Sequence, residues 1–117
     1  MQEAVIVGYV RSPVARAHAE KGAFRNVRAD DLAASVIKEL VRRPRVTPSD
    51  VEDCVIGCSN QTMEQWLYGG RKITWAAGLP YEVPGLGVER QCASSLSAVH
   101  VATMGIMSGF GDVYIAA

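Results

Sequence analysis

Three cysteines and two histidines have the widest chemical range in this 117-residue sequence, and their settings separate them. Cys92 stands in Glu89-Arg90-Gln91-Cys92-Ala93-Ser94-Ser95-Leu96-Ser97-Ala98, where an extended segment runs directly into a helix. A thiol at a helix N-terminus meets the positive end of the helix dipole and free backbone N–H groups, which favour the thiolate and can cradle an oxyanion. This is a suitable place for a nucleophile, although without its neighbours a helix-start cysteine reads first as a packed core residue. Cys54 and Cys58 lie in the apolar run Asp53-Cys54-Val55-Ile56-Gly57-Cys58. Four apart on a strand they share a face, but no second ligand pair accompanies them, so small buried residues are expected there and no metal site.

A cysteine nucleophile needs a group that takes and supplies protons, typically a histidine within hydrogen-bond reach. His100 lies eight residues further along the same helix, about 12 Å away at 1.5 Å per residue, too far for direct transfer. His18 sits alone in a polar loop and reads as exposed. Gly85-x-Gly87-x-x-Arg90 lacks the third glycine of a dinucleotide fingerprint and enters a strand instead of opening a helix, which sets nicotinamide binding aside.

The elements that must position Cys92 follow from periodicity. Ala4 to Val7 is an apolar run bounded by Gly8, the pattern of a strand buried on both faces. Ser12 to Arg28 is polar, basic and punctuated by Pro13 and Gly22, hence a loop. From Asp31 to Arg43 the apolar positions recur at helical spacing, with Asp30 and Asp31 at the start and Arg42 and Arg43 at the end matching the dipole. Pro44 ends that helix, and Thr47-Pro48 opens a short helical turn. A strand follows from Asp53 to Cys58.

Gly70 to Ala77 reads as a weaker helix because of Gly69 and Gly70, closed by Gly78 and Pro80. Just before it, Trp66, Leu67 and Tyr68 form a bulky cluster in a loop, open to burial or to an interface. Leu86 to Arg90 alternates like a strand, and Ala93 to Ser108 is a helix apolar on nearly every side, the pattern of an element buried all round. Gly105 and Gly109 read as packing and termination. Asp112 to Ala117 is a final strand. Strands alternating with helices predict an α/β fold: a mostly parallel sheet, βαβ crossovers and a buried helix behind Cys92.

Arg90-Gln91-Cys92-Ala93-Ser94-Ser95-Leu96-Ser97-Ala98 resembles the nucleophilic-cysteine motif of thiolases, Asn-Arg-x-Cys-x-Ser-Gly or Ser, an apolar residue, then x-Ala. Ala4-Val5-Ile6-Val7-Gly8, Arg11-Ser12-Pro13, the block Lys21 to Leu32 and Gln61-Thr62-Met63-Glu64-Gln65 look especially like degradative 3-ketoacyl-CoA thiolases. The chain departs from the pattern at Glu89, where the family usually has Asn, and at Ala15, where Gly is common. The resemblance implies an N-terminal thiolase domain over residues 1–117, a half-domain whose cysteine helix is sandwiched between sheets in the complete fold. It implies Cys92 as the residue that becomes an acyl thioester, with its backbone N–H in the oxyanion hole. It also implies a Gly-His-Pro histidine and a Cys-x-Gly cysteine elsewhere; neither motif occurs in these 117 residues.

Coenzyme A and acyl-CoA would be substrates, no resident cofactor or metal is expected, and the complete enzyme would be a homo-oligomer, dimer or tetramer. In thiolases the segment corresponding to Trp66 to Tyr68 lies near the dimer contact. Twelve basic and twelve acidic residues, interspersed, leave zero net charge and no footprint for nucleic acid or an anionic membrane. No apolar run reaches the ~18 to 20 residues of a membrane span, the three cysteines read as reduced thiols, and a cytoplasmic protein is expected. Three readings follow: a degradative acyltransferase, a biosynthetic acetoacetyl-CoA thiolase, and a non-catalytic half-domain or assembly subunit.

Overall fold

The computed structural model describes residues 2–65 and 68–117, so Trp66 and Leu67 of the loop cluster lie outside the described residues, while Tyr68 is exposed. Helix α1 spans Ala29–Arg42, strand β1 Asp53–Gly57, helix α2 Gly69–Ala76, strand β2 Gly85–Val88, helix α3 Ser94–Met107 and strand β3 Tyr114–Ala116. A single turn of 3-10 helix, Pro48–Asp50, enters β1 with proline at its start, and another occupies Met63–Gln65. The three strands are parallel in the order β2-β1-β3. The protein is therefore α/β with a parallel sheet and crossover helices.

The strand order decides where the helices lie. The chain moves one way from β1 to β2 and back across β1 to reach β3, so two right-handed crossovers place α2 and α3 on opposite faces. Burial along β1 agrees. Cys54 and Ile56 join one apolar core with Ala34 and Ile37 of α1, Ile73 of α2 and Ala77 just beyond it. Val55, between them and equally buried, takes the other face, where α3 brings Ala98 and Ala102.

Helix α2 starts one residue earlier than expected, so Gly69 joins Gly70 inside it despite the cost in helix propensity. A Cβ on Gly70 would lie 2.6 Å from the backbone of Leu86, and one on Gly85 would lie 2.7 Å from the Gly70 carbonyl oxygen. The paired glycines let α2 start directly against β2. Gly109, two residues beyond the end of α3, has φ of 77° and reverses the chain.

One charged group sits deep in the structure. Asp30, in the first turn of α1, is buried and receives two hydrogen bonds of 3.0 Å from Arg28 and an ion pair from Lys72 of α2. The Arg28 hydrogen bond, helped by Lys72, holds its carboxyl well below the usual carboxylate range against the opposing cost of burial. The aspartate expected to match a dipole therefore also clamps α1 to α2.

Two expectations are corrected. Ala4 to Val7 forms no strand, and Val5, Ile6 and Val7 are exposed. An apolar run becomes a strand only where a sheet edge supplies ladder hydrogen bonds, and among the described residues this run pairs with none. The segment is held by the Gln2 amide on Asp112 at 3.3 Å and the Arg43 guanidinium on the Tyr9 carbonyl at 3.2 Å. Helix α3 is not buried all round either. Ser94, Ser97, Ala98 and Ala102 are covered, while Leu96, Val99, Met104 and Met107 share an exposed face. Apolar residues all round a helix specify two covered faces, and this chain supplies one cover.

Candidate active site

Parallel strands release their chains at the same edge of the sheet, and ligand sites of open α/β sheets form at those carboxyl ends. Gly57, the last residue of β1, is in register with Val88, the last of β2, and the Cys58 N–H donates to the Val88 carbonyl at 3.0 Å. The segments beyond both strands thus leave side by side. Between them opens a cleft of about 420 Å3 lined by Gly57, Cys58, Ser59, Asn60, Gln65, Gln91, Cys92, Ser94 and Ser95. Cys92 is exposed in it.

The chain reaches Cys92 through a sharp turn. Gln91 has φ of 49°, in the left-handed region that non-glycine residues seldom occupy. Ser94, buried at the first position of α3, closes this turn: its Oγ accepts from the Arg90 N–H at 2.8 Å and donates to the Gln91 carbonyl at 2.7 Å. The backbone N–H groups of Ala93 and Ser94 are engaged by the carbonyls of Arg90 and Gln91 at 3.0 and 3.1 Å.

Gly57 sets how near α3 comes to the sheet. A Cβ there would lie 2.4 Å from the Ser94 carbonyl carbon and 2.4 Å from the Ser95 nitrogen. Only a bare Cα lets the first turn of α3 rest on the end of β1.

The other cysteines divide. Cys54 is fully buried in the core, where burial pushes its thiol up to about 11. It is inert packing, as expected. Cys58, expected to be buried with it, is half-buried and lines the cleft, its thiol against the Asn60 carbonyl at 3.3 Å and against Oε1 of Gln65. It sits one residue past the end of β1, where the strand no longer covers it. Sequence reasoning missed both Cys58 and Gln65 as site residues. The available signal was Cys58's place at the carboxyl end of a strand.

Neither histidine lines the cleft. His18 uses Nδ1 to accept the N–H groups of Glu20 and Lys21, each at 3.1 Å, so it closes a loop turn, and it is half-buried there where exposure was expected. His100 is exposed on α3. Glu89, three residues before Cys92, accepts from the Gln91 side-chain amide at 3.4 Å. No cluster of three or more metal-ligating side chains occurs among the described residues, and no described helix is long and apolar enough to cross a membrane.

Comparison with known proteins gives the family. The model of the family described as thiolase, N-terminal domain, matches residues 4–117. The 3-ketoacyl-CoA thiolase of Colwellia psychrerythraea is 47% identical over 116 residues, covering 98% of this chain and 30% of that protein. Its counterpart from a Marinomonas species is 46% identical, covering 97% of this chain and 29% of that protein. A crystal structure of the Bacillus anthracis acetyl-CoA acetyltransferase superposes with a TM-score of 0.72 at 36% identity, over 81% of this chain and 24% of that one. The chain thus spans about 30% of the length of these curated relatives. With a cysteine at a strand-to-helix turn, a parallel α/β half-domain and a match of residues 4–117 to the thiolase N-terminal domain model, the chain belongs to the thiolase family.

Proposed function

We propose that this domain serves a degradative 3-ketoacyl-CoA thiolase in which Cys92 carries the acyl group. The observation that carries the reading is the exposed Cys92 thiol, set at the start of α3 in a cleft at the carboxyl ends of two adjacent parallel strands. The Cys92 sulfur adds to the keto carbon of a 3-ketoacyl-CoA, and its proton passes to a base. As the carbonyl re-forms, the bond between the keto carbon and the α-carbon breaks and its electron pair stays with the α-carbon. Protonation there yields acetyl-CoA and leaves an acyl thioester on Cys92. The thiol of an incoming CoA then attacks that thioester, Cys92 departs and regains a proton, and a shortened acyl-CoA is released. The N–H of Cys92 donates to the oxyanion formed in each addition.

Proton transfer typically needs a histidine within hydrogen-bond reach of the thiol, and neither histidine lines the cleft. We place the proton-transfer groups in a longer polypeptide of which residues 1–117 are the N-terminal domain, in keeping with relatives about three times as long. Acyl-CoA and CoA are its substrates, no resident cofactor takes part, and the enzyme works as a cytoplasmic homo-oligomer. The relatives named 3-ketoacyl-CoA thiolase favour the degradative direction; the acetyl-CoA acetyltransferase neighbour supports condensation of two acetyl-CoA molecules as the second reading.

The test is peptide mass mapping after acid quench of the full-length enzyme with 3-ketoacyl-CoA of short and long chain. The expected result is an acyl group on the Cys92 peptide, lost in Cys92→Ala, with long-chain substrate turned over as well as acetoacetyl-CoA. Acylation at Cys58 or Cys54 overturns the assignment. Turnover confined to acetoacetyl-CoA favours the biosynthetic reading, and no acylation at all favours a non-catalytic half-domain.

A further inference from the structure

We infer that Ser94 is a positioning residue for the acyl transfer, holding the left-handed turn at Gln91 that presents Cys92 to the cleft; this rests on the reading that Cys92 carries the acyl group. Three observations meet at this side chain. Its hydroxyl closes a two-way bridge over the turn, accepting from the Arg90 N–H at 2.8 Å on the near side and donating to the Gln91 carbonyl at 2.7 Å within it. It is buried, so water does not readily replace either bond. The turn it spans is one that the residue at its centre disfavours, because Gln91 is not glycine yet has φ of 49°.

The chemistry of the hydroxyl fits this task. Donor and acceptor must reside on one small atom, which serine and threonine provide and alanine does not. Without the bridge, only the backbone bonds of Ala93 and Ser94 oppose relaxation of Gln91 toward negative φ, which would swing Cys92 and its N–H away from their places at the head of α3. Two backbone bonds also span the turn, the Ala93 N–H on the Arg90 carbonyl at 3.0 Å and the Ser94 N–H on the Gln91 carbonyl at 3.1 Å, so the hydroxyl adds to them and no other side chain does. Glu89 and Gln91 touch each other only through an exposed contact of 3.4 Å. Gly57 fixes where Ser94 packs against the sheet but makes no bond to the turn.

This predicts a specific pattern of loss and recovery in the full-length enzyme. Ser94→Ala is expected to lower kcat about 10- to 100-fold, the scale of a small misplacement of a reacting group, with KM changed less than about threefold. Ser94→Thr restores kcat to within about fivefold of wild type. So does the double variant Gln91→Gly with Ser94→Ala, since glycine adopts the left-handed turn without help. Cys54 serves as the internal folding control: it stays unlabelled by iodoacetamide in any variant that keeps its core. Where the threonine methyl does not fit, seen as labelling of Cys54, the double variant decides. Full kcat in Ser94→Ala, or a loss that glycine at 91 does not recover, overturns the positioning role while leaving acyl-Cys92 in place. An acyl group found on Cys58 overturns both readings together.

Discussion

Replacing Gly57 by alanine tests the packing that joins sheet to nucleophile. The added methyl would lie 2.4 Å from the Ser94 carbonyl carbon, 2.4 Å from the Ser95 nitrogen and 2.6 Å from the Ser94 oxygen, about 1 Å short of ordinary contact. All three are backbone atoms, so no rotamer change relieves the overlap; either β1 or the first turn of α3 must move. Alanine is favoured over glycine within a strand by roughly 0.5–1 kcal/mol. Overpacking a tight contact costs about 1–3 kcal/mol, more where backbone meets backbone. The overlap should win, giving a net loss of about 1–2 kcal/mol from a total stability on the order of 5–15 kcal/mol. Urea unfolding followed by circular dichroism measures it. Because the displaced turn begins two residues after Cys92, a shift near 1 Å should also slow acylation in the full-length enzyme by about 100-fold. An unchanged or raised unfolding midpoint, together with undiminished acylation, would refute the claim that Gly57 sets the seat of α3.

The other predictions concern the charged clamp, the buried thiol and the chain as a unit. Asp30→Asn should cost about 2 kcal/mol at neutral pH, since it weakens bonds to two cations that are themselves about half exposed. Asp30 is held below the ordinary ~3.9 of an unfolded aspartate, so the unfolded chain binds the extra proton between those values; its contribution is full above about pH 4 and is lost as pH falls towards the folded value. The variant should therefore show a flatter decline of urea midpoint with acid than wild type, and parallel declines would contradict the clamp. Cys54 should resist iodoacetamide in the folded chain up to about pH 11, whereas exposed Cys92 is labelled first. Mass mapping that found Cys54 labelled as early as Cys92 would show the core to be open. Residues 1–117 alone should neither cleave acetoacetyl-CoA nor stay monomeric as concentration rises, because no histidine lines the cleft and α3 exposes Leu96, Val99, Met104 and Met107. A monomer with genuine turnover in sedimentation and thiolysis assays would defeat that expectation.

Local signals in the sequence reached most of the architecture. Helical spacing located α1 to within a few residues, the proline and threonine before β1 marked its entry turn, and the junction at Cys92 emerged from a strand pattern meeting a helix pattern. These features are decided by neighbours in the chain, so periodicity and the placement of proline carry them, although Thr47 makes no side-chain cap bond to its turn. Ala4 to Val7 failed for the opposite reason: its composition encodes burial, but whether it becomes a strand depends on an edge elsewhere. Asp30 was legible as a helix-start acid, yet its burial depends on Lys72 forty-two positions away, and no local pattern announces such a partner. Gln91's left-handed turn was equally hidden, since glutamine gives no cue for positive φ.

The site itself shows where legibility stops. Cys92 could be singled out because its chemistry and its position at a helix start are both written in adjacent residues. Cys58 offered only its place at the carboxyl end of a strand and Gln65 no local cue, because what brings both to the cleft is the pairing of β1 with β2. Once Gly57 is in register with Val88, whatever follows each strand must share one rim of the sheet. The cleft is thus a consequence of register: slipping β1 by one residue would turn Val55 toward the α1 and α2 core and carry Gly57 away from Ser94. Gly57 has no side chain to show its importance, yet its missing Cβ is what allows the turn bridged by Ser94 to sit against the sheet. The residue that presents the thiol and the residue that makes room for it belong to different strand exits, and only the folded sheet brings them together.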